Sequence, residues 1–414
     1  MAHQPVILLR VFLPFAAGYF LSYLFRVVNA VIAPDLVADT GIGPAALGLL
    51  TATYFISFAA FQLPLGVLLD RYGPRRTESI LLIFAGLGAV VFAAAESLSG
   101  LIIGRALIGF GVSACLMAAF KAYTSWFSEE QWPMINGLQM GAGGLGALTA
   151  TAPVEILLGI TDWRNLFFGL AILCVLVAVV LYLVVPRLPH SQTDTPPSPT
   201  GQWAGIGSVF NSRIFWCIAP LATMSQATFL SVQGLWAGPW LRDVVQLERG
   251  AAATVLLWIT VAMVAGFISL GAITSRLVKR GVSMTICAVT GMALFMISQL
   301  MLLVVPLEWN TTAWLCFGFF GTTGILAYPA LTREYATELS GRVTTGLNLL
   351  VFVMAFVCQW LIGAIIELWP LTADGAYDGQ GFYLSFTLLL VIQAIAMVWF
   401  VINAKQKKNS VAIS

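Results

Sequence analysis

Long apolar runs occupy most of this sequence, and their length limits what the chain can fold into. A helix that crosses the hydrocarbon core of a bilayer needs about 20 apolar residues. Barrel strands would alternate in polarity over only about ten residues. Twelve runs broken by charge, Gly or Pro meet the helix requirement, near 8–33, 44–68, 79–96, 100–124, 133–158, 165–186, 211–235, 250–274, 283–305, 311–332, 345–368 and 382–403. They predict an all-α integral membrane protein with twelve transmembrane helices.

The composition excludes a soluble protein. Of the 414 residues, 59% are hydrophobic and only 9% are charged, against about 25% charged residues in soluble domains. A water-facing surface cannot be covered with so few charges. The 20 Lys and Arg nearly balance the 18 Asp and Glu, so we expect a lipid bilayer around the chain and no nucleic-acid partner.

Basic residues in the short loops predict the orientation. With the N-terminus placed in the cytoplasm, fourteen of the 20 basic residues fall on the cytoplasmic side and three on the opposite side. This asymmetry predicts that both termini are cytoplasmic. The short loops and tails are typical of a bacterial protein, which places the chain in the inner membrane. The remaining three basic residues, Arg26, Arg105 and Lys121, fall inside predicted spans.

A polar segment divides the chain into halves. Residues 186–203 are rich in Pro, Ser and Thr and cannot pack a core. We therefore predict an N-terminal six-helix bundle over 1–186, a cytoplasmic linker over 187–207 and a C-terminal six-helix bundle over 208–414. The linker is interpreted as a flexible tether, with a regulatory or partner-binding loop as the alternative.

The two halves repeat short patterns in register. Gly66-x-x-x-x-Arg71 recurs 205 residues later as Gly271-x-x-x-x-Arg276, and Pro34-x-Leu36 recurs at the same offset as Pro239-x-Leu241. Repeats that straddle one linker predict two pseudo-symmetric bundles.

Segment 66–76, GVLLDRYGPRR, resembles the signature loop of the major facilitator superfamily between helices two and three. The intramembrane Arg105, followed by the small residues of ALIGFG, resembles the second motif of that family. The resemblance implies two six-helix bundles around a cavity that opens alternately to each side, with substrate near the bilayer midplane.

The signature loop suggests a latch that holds the cytoplasmic side of the transporter closed in the outward-facing state. Asp70, Arg71, Arg75 and Arg76 can form charge-assisted bonds to helix ends across the cytoplasmic mouth. The alternative is a simple positive-inside anchor. For Arg105, the family resemblance implies a role in proton coupling or gating.

Arg26 is the main candidate for substrate binding. An ionisable residue inside a span is costly and indicates a functional site. Tyr19, Tyr23, Arg26 and Asn29 are spaced to share one helical face, and the planar donor fork of Arg suits a carboxylate or another oxyanion. The alternative is a structural tie to backbone carbonyls. The Tyr-x-x-Arg pair also resembles the anion:cation symporter-like branches of the family.

Further polar residues complete the predicted substrate site. The resemblance to the organophosphate antiporters of this superfamily would imply a partner Arg in helix seven, but span seven here offers amides instead. This departure favours a monoanion over a doubly charged phosphate. Intramembrane amides either bind ligands or join helices, and Lys121 is either a second cation or an interfacial Lys. These additional substrate candidates are Gln226, Gln233, Trp236, Asn348 and Lys121.

Acidic residues are scarce in the spans. No carboxylate is placed at the midplane as a dedicated proton carrier. Glu155, late in span five, is a candidate for coupling, with a structural end-cap as the alternative. If transport is proton-coupled, either Glu155 or the acid group of the substrate titrates.

The sequence shows no pattern typical of metal binding, cofactor binding or catalysis. The six Cys lie singly in spans and both His lie outside them, so we expect no metal and no cofactor. No intramembrane His is present to serve as a catalytic base, and we expect no enzymatic activity. We also expect a monomer.

These features predict a secondary transporter that moves a small organic anion, such as a monocarboxylate, by alternating access and proton symport. Two alternatives remain open. One is a carrier for a neutral or zwitterionic solute such as an amino acid, and the other is a non-transporting sensor with the same fold.

Overall fold

The computed structural model describes residues 8–128, 131–186, 207, 209–335, 339–373 and 375–412. Within these residues the regular structure is helical, without strands. Twelve helical spans are long and apolar enough to cross a membrane. They are α1 Leu8–Val27, α2 Pro44–Gln62, α3 Arg71–Ala94, α4 Leu98–Trp126, α5 Met134–Leu158, α6 Trp163–Val184, α7 Arg213–Val244, α8 Arg249–Lys279, α9 Met284–Val304, α10 Leu307–Thr332, α11 Gly341–Ile366 and α12 Gly379–Ala404. The predicted fold class is confirmed.

The spans fall close to the predicted runs, with one consequential difference. The third run was predicted over 79–96, whereas α3 begins at Arg71. Glu78 therefore lies inside a span and not in a loop. The apolar run placed this boundary too late, because the helical backbone resumes directly after the non-helical Gly73 and so includes polar residues that precede the apolar run.

The chain divides into two compact units. The first contains Met1–Pro196 and Arg249–Leu257, and the second contains Pro197–Glu248 and Trp258–Ser414. The start of α8 thus groups with the first unit. The predicted linker lies outside the described residues except at Gly207, so the predicted domain boundaries stay predictions.

Glycines bring α3 and α4 together in the first unit. Gly104 of α4 packs on the backbone of Phe92, and Gly111 packs on the backbone of Ala85. A Cβ at either position would overlap these neighbours. Small residues at such contacts allow two membrane helices to approach closely.

The helix of α4 is interrupted between Gly111 and Cys115. Such breaks release backbone carbonyls, which need a new partner inside a membrane. Here the side-chain amide of Gln62 on α2 donates to the carbonyl of Ser113 at 3.2 Å. The break is therefore stabilised by a neighbouring helix.

The two repeated loops turn on glycine. Gly73 follows the first Gly-x-x-x-x-Arg pattern with a φ of 76°, and Gly281 follows the second with a φ of 91°. Residues with a Cβ rarely adopt such positive φ angles. The glycines thus explain how the chain reverses between helices at both places.

The second unit has its own apolar core. Phe215 of α7, Met292 of α9 and Leu347 of α11 are buried within one cluster. α7 changes to π-helix over Val232–Trp236, a departure that often accompanies functional positions in membrane and soluble helices.

Candidate functional site

Aromatic side chains of α1, the helix that carries Arg26, form one side of the surroundings of its guanidinium. The ring of Tyr23 lies 4.5 Å from the guanidinium carbon, and the rings of Tyr19 and Tyr23 contact each other edge to face at 5.1 Å. Arg26 is only 8% exposed. A cation over an aromatic face gains electrostatic attraction, and the gain rises when water is excluded.

α2 supplies the other side of these surroundings. The rings of Phe58 and Tyr54 lie 5.7 Å and 6.0 Å from the guanidinium carbon of Arg26. The Tyr54 phenol also forms a hydrogen bond with the Arg26 side chain, and its hydroxyl donates to the carbonyl of Ser22 at 3.1 Å. Arg26 is therefore fixed by two helices.

Arg105 lies against the same tyrosine. Its guanidinium carbon is 5.1 Å from the ring of Tyr54, and the side chain is 0% exposed. Within the described residues its Nε and Nη1 have no hydrogen-bond partner. Gly109, one turn further along α4, packs on the backbone of Tyr54. The structure thus brings two buried cations from α1 and α4 to one aromatic ring.

α5 closes the site from a further side. Gly143 packs against the rings of Tyr19 and Tyr23, and Gly146 packs against the backbone of Phe20. The hydroxyl of Tyr19 contacts the sulfur of Met140 at 3.7 Å. These contacts place the glycine-rich part of α5 directly on the α1 face that carries Arg26.

Asn29 lies about one turn beyond Arg26, at the start of a new helical segment. The regular helix of α1 ends at Val27, and a new helix starts at Asn29. The Asn29 amide donates to the hydroxyl of Thr51 at 2.9 Å, and the residue is fully buried. Thr51 lies one turn before Tyr54 on α2, so Asn29 and Arg26 contact the same neighbouring helix.

The candidates in the second unit mainly contact other helices. The amide of Gln233 contacts the sulfur of Met263 at 3.3 Å, and the indole of Trp236 donates to the carbonyl of Gln359 at 2.9 Å. Asn348 accepts from the hydroxyl of Tyr328 at 3.0 Å, whereas Gln226 packs against Gly324.

The signature loop holds its own unit together through Arg75. This side chain donates to the carbonyl of Val185 at the end of α6 over 3.1 Å and lies 4.8 Å from the ring of Tyr182. Arg71 and Arg76 are exposed, and Lys121 is half-buried on α4. The side chain of Asp70 lies outside the described part of the structure.

Glu155 belongs to an ion network that the sequence did not indicate. Its Oε1 lies 2.6 Å from Nε of Arg249. The two terminal nitrogens of Arg249 bind the carboxylate of Asp35, with Nη1 2.6 Å from Oδ1 and Nη2 in contact with Oδ2. All three residues belong to the first unit.

Sequence reasoning missed the roles of five residues that the structure makes prominent. Tyr54 and Phe58 lie in an apolar span where nothing marks them as ligands of Arg26 and Arg105. Asp35 and Arg249 are 214 positions apart, so no local pattern joins them. The buried Glu78 carried one available signal, its place only two residues after the Arg75–Arg76 pair.

Metal-binding groups are not found in the described residues, which contain no cluster of three or more His, Cys, Asp or Glu suited to an ion. The six Cys are free.

Comparison with known proteins identifies the family. The model of the Major Facilitator Superfamily matches residues 15–359, and the chain belongs to this superfamily. It is thus a multi-pass membrane protein of a transporter family, as the two motifs predicted.

Three relatives illustrate the range of similarity. The nitrate/nitrite transporter NrtP of a Picosynechococcus strain is 27% identical over 211 residues, which cover 44% of this chain and only 38% of that relative. A probable L-galactonate transporter of Escherichia coli is 21% identical over 381 residues, covering 84% of this chain and 80% of the relative. A bacterial homologue of the lysosomal transporter Spinster, solved facing inward and unoccupied, shares 16% identity with a TM-score of 0.75 over 95% of this chain and 96% of that one. This last likeness concerns the fold.

Proposed function

We propose that this protein is a secondary transporter that moves a small organic anion, of the monocarboxylate type, across the bacterial inner membrane. Transport proceeds by alternating access and by symport with protons. Both termini lie in the cytoplasm, the predicted bundles over 1–186 and 208–414 are the moving parts, and one monomer is the transporting unit.

The main support for this proposal is the position of the buried Arg26 guanidinium between aromatic rings. A buried guanidinium between aromatic rings presents a planar set of donors in surroundings of low polarity, where a carboxylate gains more than it would in water. The rings of Tyr23 and Phe58 limit the space around the cation. Arg105 adds a second positive charge behind Tyr54 and disfavours a cationic solute.

The relatives agree with an anionic substrate. By their printed names NrtP carries nitrate and nitrite, and the Escherichia coli relative carries L-galactonate, whose name denotes a carboxylate. The match to the galactonate transporter extends over most of both chains, which supports a carboxylate over an inorganic oxyanion.

The roles of the remaining candidates follow from this proposal. The part of the substrate site in the first unit consists of Tyr19, Tyr23, Arg26 and Asn29. The proposed further contacts are Gln226, Gln233, Trp236, Asn348 and Lys121. Arg105 and Glu155 act in coupling, and Asp70, Arg71, Arg75 and Arg76 act in gating.

Uptake by purified protein in proteoliposomes tests the proposal. Radiolabelled monocarboxylates, amino acids, sugars and nitrate are presented with an inward pH gradient, and ligand binding is followed by the rise in thermal stability that binding produces. We expect monocarboxylates to be taken up and to stabilise the protein.

Variants of Arg26 give the sharper result. Arg26→Gln removes a charge-assisted bond of about 2 to 3 kcal/mol, which corresponds to roughly a 30- to 150-fold weaker apparent affinity. Arg26→Lys retains the positive charge but lacks the planar set of donors. Its apparent affinity should therefore lie between those of the unsubstituted protein and Arg26→Gln. Arg10→Gln removes an exposed cation from the same helix and serves as the matched control. Unchanged carboxylate affinity in a folded Arg26→Gln protein would contradict the proposal, and so would uptake of neutral solutes only.

A further inference from the structure

Glu78 is a fully buried carboxyl group that the substrate site does not use. It lies in α3 two residues after the signature loop and is 0% exposed. Within the described residues, neither oxygen has a hydrogen-bond partner that meets normal geometry. The polar group that faces it is the thiol of Cys115 on α4, and a thiol is only a weak donor.

α1 makes room for this carboxyl group with a glycine. A Cβ at Gly18 would overlap Oε1 of Glu78 and approach Leu82 at 3.6 Å. Any other residue at this position would displace the carboxyl group. The absence of a side chain at Gly18 thus lets the α1 backbone cover Glu78 directly.

The other titratable groups near Glu78 do not neutralise a negative charge there. The Tyr123 phenol is close enough to interact electrostatically, but its hydroxyl donates to Gln139 at 2.7 Å. The Gln139 amide in turn donates to the carbonyl of Phe15 at 3.3 Å. On α6, Cys174 is the titratable neighbour of Cys115. Among the ion pairs of the described residues, none includes Glu78.

An unpaired and unsolvated carboxylate is very costly, whereas a neutral carboxylic acid in the same place costs far less. The surroundings of Glu78 therefore favour the protonated acid in this conformation. Among the described residues, these surroundings include no cation and no strong donor that would favour the anion.

We propose that Glu78 is the proton-binding site of the transport cycle. It holds one proton while α1 covers it at Gly18, and it releases that proton to water when α1 moves away from α3. This inference rests on the proposed function, because it assigns the coupling ion of that transporter to a residue in the first unit.

α1 links the proton site with the proposed anion site. Gly18 and Arg26 are eight residues apart on the same helix, a rise of about 12 Å. The helix begins with a π-helical turn over Leu8–Phe12 and is interrupted at Val28, and such irregularities are where helices bend. An anion bound at Arg26 therefore acts on the helix that covers Glu78. One proton carried with one monoanion transfers no net charge.

Infrared difference spectroscopy tests the protonation without any transport. The C=O stretch of a protonated carboxylic acid is followed in the purified protein as the pH is raised. We expect a band that is retained at neutral pH and is absent in Glu78→Gln. Glu96→Gln, which removes an exposed carboxyl group beyond the end of α3, should retain the band. An identical spectrum for Glu78→Gln and the unsubstituted protein would overturn the proposal.

Proteoliposome assays then test the coupling. Gln is a neutral isostere of the protonated acid, so we expect Glu78→Gln to retain exchange of labelled for unlabelled substrate within about threefold. The variant should lose accumulation driven by a pH gradient. Accumulation that persists in Glu78→Gln would overturn the proposal, and in the unsubstituted protein accumulation should respond to the pH gradient and not to membrane potential.

Gly18→Ala provides a second variant if Glu78→Gln does not fold. Its methyl group should displace the carboxyl group, so the infrared band should shift while the acid remains. An unshifted band would count against the contact between α1 and Glu78. Failure of the proposed function has a different signature, because the unsubstituted protein would then show no carboxylate exchange although the infrared band of Glu78 is present.

Discussion

Arg249 binds the carboxylate of Asp35 with both terminal nitrogens of its guanidinium, although 214 positions separate the two residues. The same guanidinium reaches Glu155 through Nε at 2.6 Å. Bidentate pairs of this kind are the stronger class of ion pair. About a third of each of the Arg249 and Asp35 side chains is exposed, at 36% and 29%, so solvent screens part of the interaction.

Removing Arg249 should destabilise the protein more than removing Asp35. Arg249→Gln leaves two neighbouring carboxylates without their shared cation, whereas Asp35→Asn leaves Arg249 paired with Glu155. We expect a coupling free energy of about 1 kcal/mol between Arg249 and Asp35. Unfolding of the two single variants and the double variant in detergent measures it, and strictly additive effects would show that the pair contributes nothing.

The sequence predicted the helices well because the signals for a membrane span are local. Runs of apolar residues and their breakers placed α5 at 133–158 and the structure has Met134–Leu158. Positive φ at Gly73 also agrees with the turn that the signature loop implied. Neither prediction required knowledge of which helices are neighbours.

The candidate site was harder to predict because it depends on contacts between distant segments. The amide of Asn29 donates to Thr51, and the guanidinium of Arg26 lies near Phe58, but no local pattern in the sequence predicts that α2 is their neighbour. Tyr54 meets both Arg26 and Arg105 only because α2 packs between α1 and α4. Glu78 was missed because its helix begins earlier than the apolar run suggested.

A pair of glutamines joins helices within the second unit. Gln299 of α9 donates to Gln393 of α12 at 3.1 Å and accepts from it at 2.8 Å, and Gln393 also lies 3.2 Å from the hydroxyl of Thr228 on α7. Replacing one partner leaves the buried side-chain carbonyl oxygen of the other glutamine without its donor, at a cost of about 1 to 3 kcal/mol.

Single and double replacement of these glutamines should therefore differ. We expect Gln299→Leu or Gln393→Leu alone to lower the unfolding temperature clearly. The double Leu variant should recover much of the loss, because no amide then remains without a partner. Unfolding in detergent, followed by tryptophan fluorescence, provides the comparison. A double variant less stable than either single one would contradict this account.

Tyr54 should affect stability mainly through its ring. Tyr54→Phe removes the bonds to Ser22 and Arg26 but retains the aromatic face, whereas Tyr54→Leu removes the face from both Arg26 and Arg105. Each buried cation–π contact contributes about 1 to 2 kcal/mol. We expect the order of stability to be the unsubstituted protein, then Tyr54→Phe, then Tyr54→Leu. Equal effects of Phe and Leu would show that the hydroxyl alone matters.

Two glycines of α5 provide a matched test of helix packing beside the site. A Cβ at Gly146 would overlap the carbonyl of Phe20 on α1, whereas nothing lies within 4 Å of a Cβ at Gly141. Gly146→Ala must therefore push α5 away from α1, at a cost of about 1 to 3 kcal/mol typical of overpacking. Gly141→Ala should be neutral or stabilising by up to about 1 kcal/mol, because Ala suits a helix better than Gly. Thermal unfolding and carboxylate binding are measured on both variants. Separating α1 from α5 should weaken binding at Arg26 in Gly146→Ala alone, and equal losses in both variants would contradict the role of the Gly146 contact.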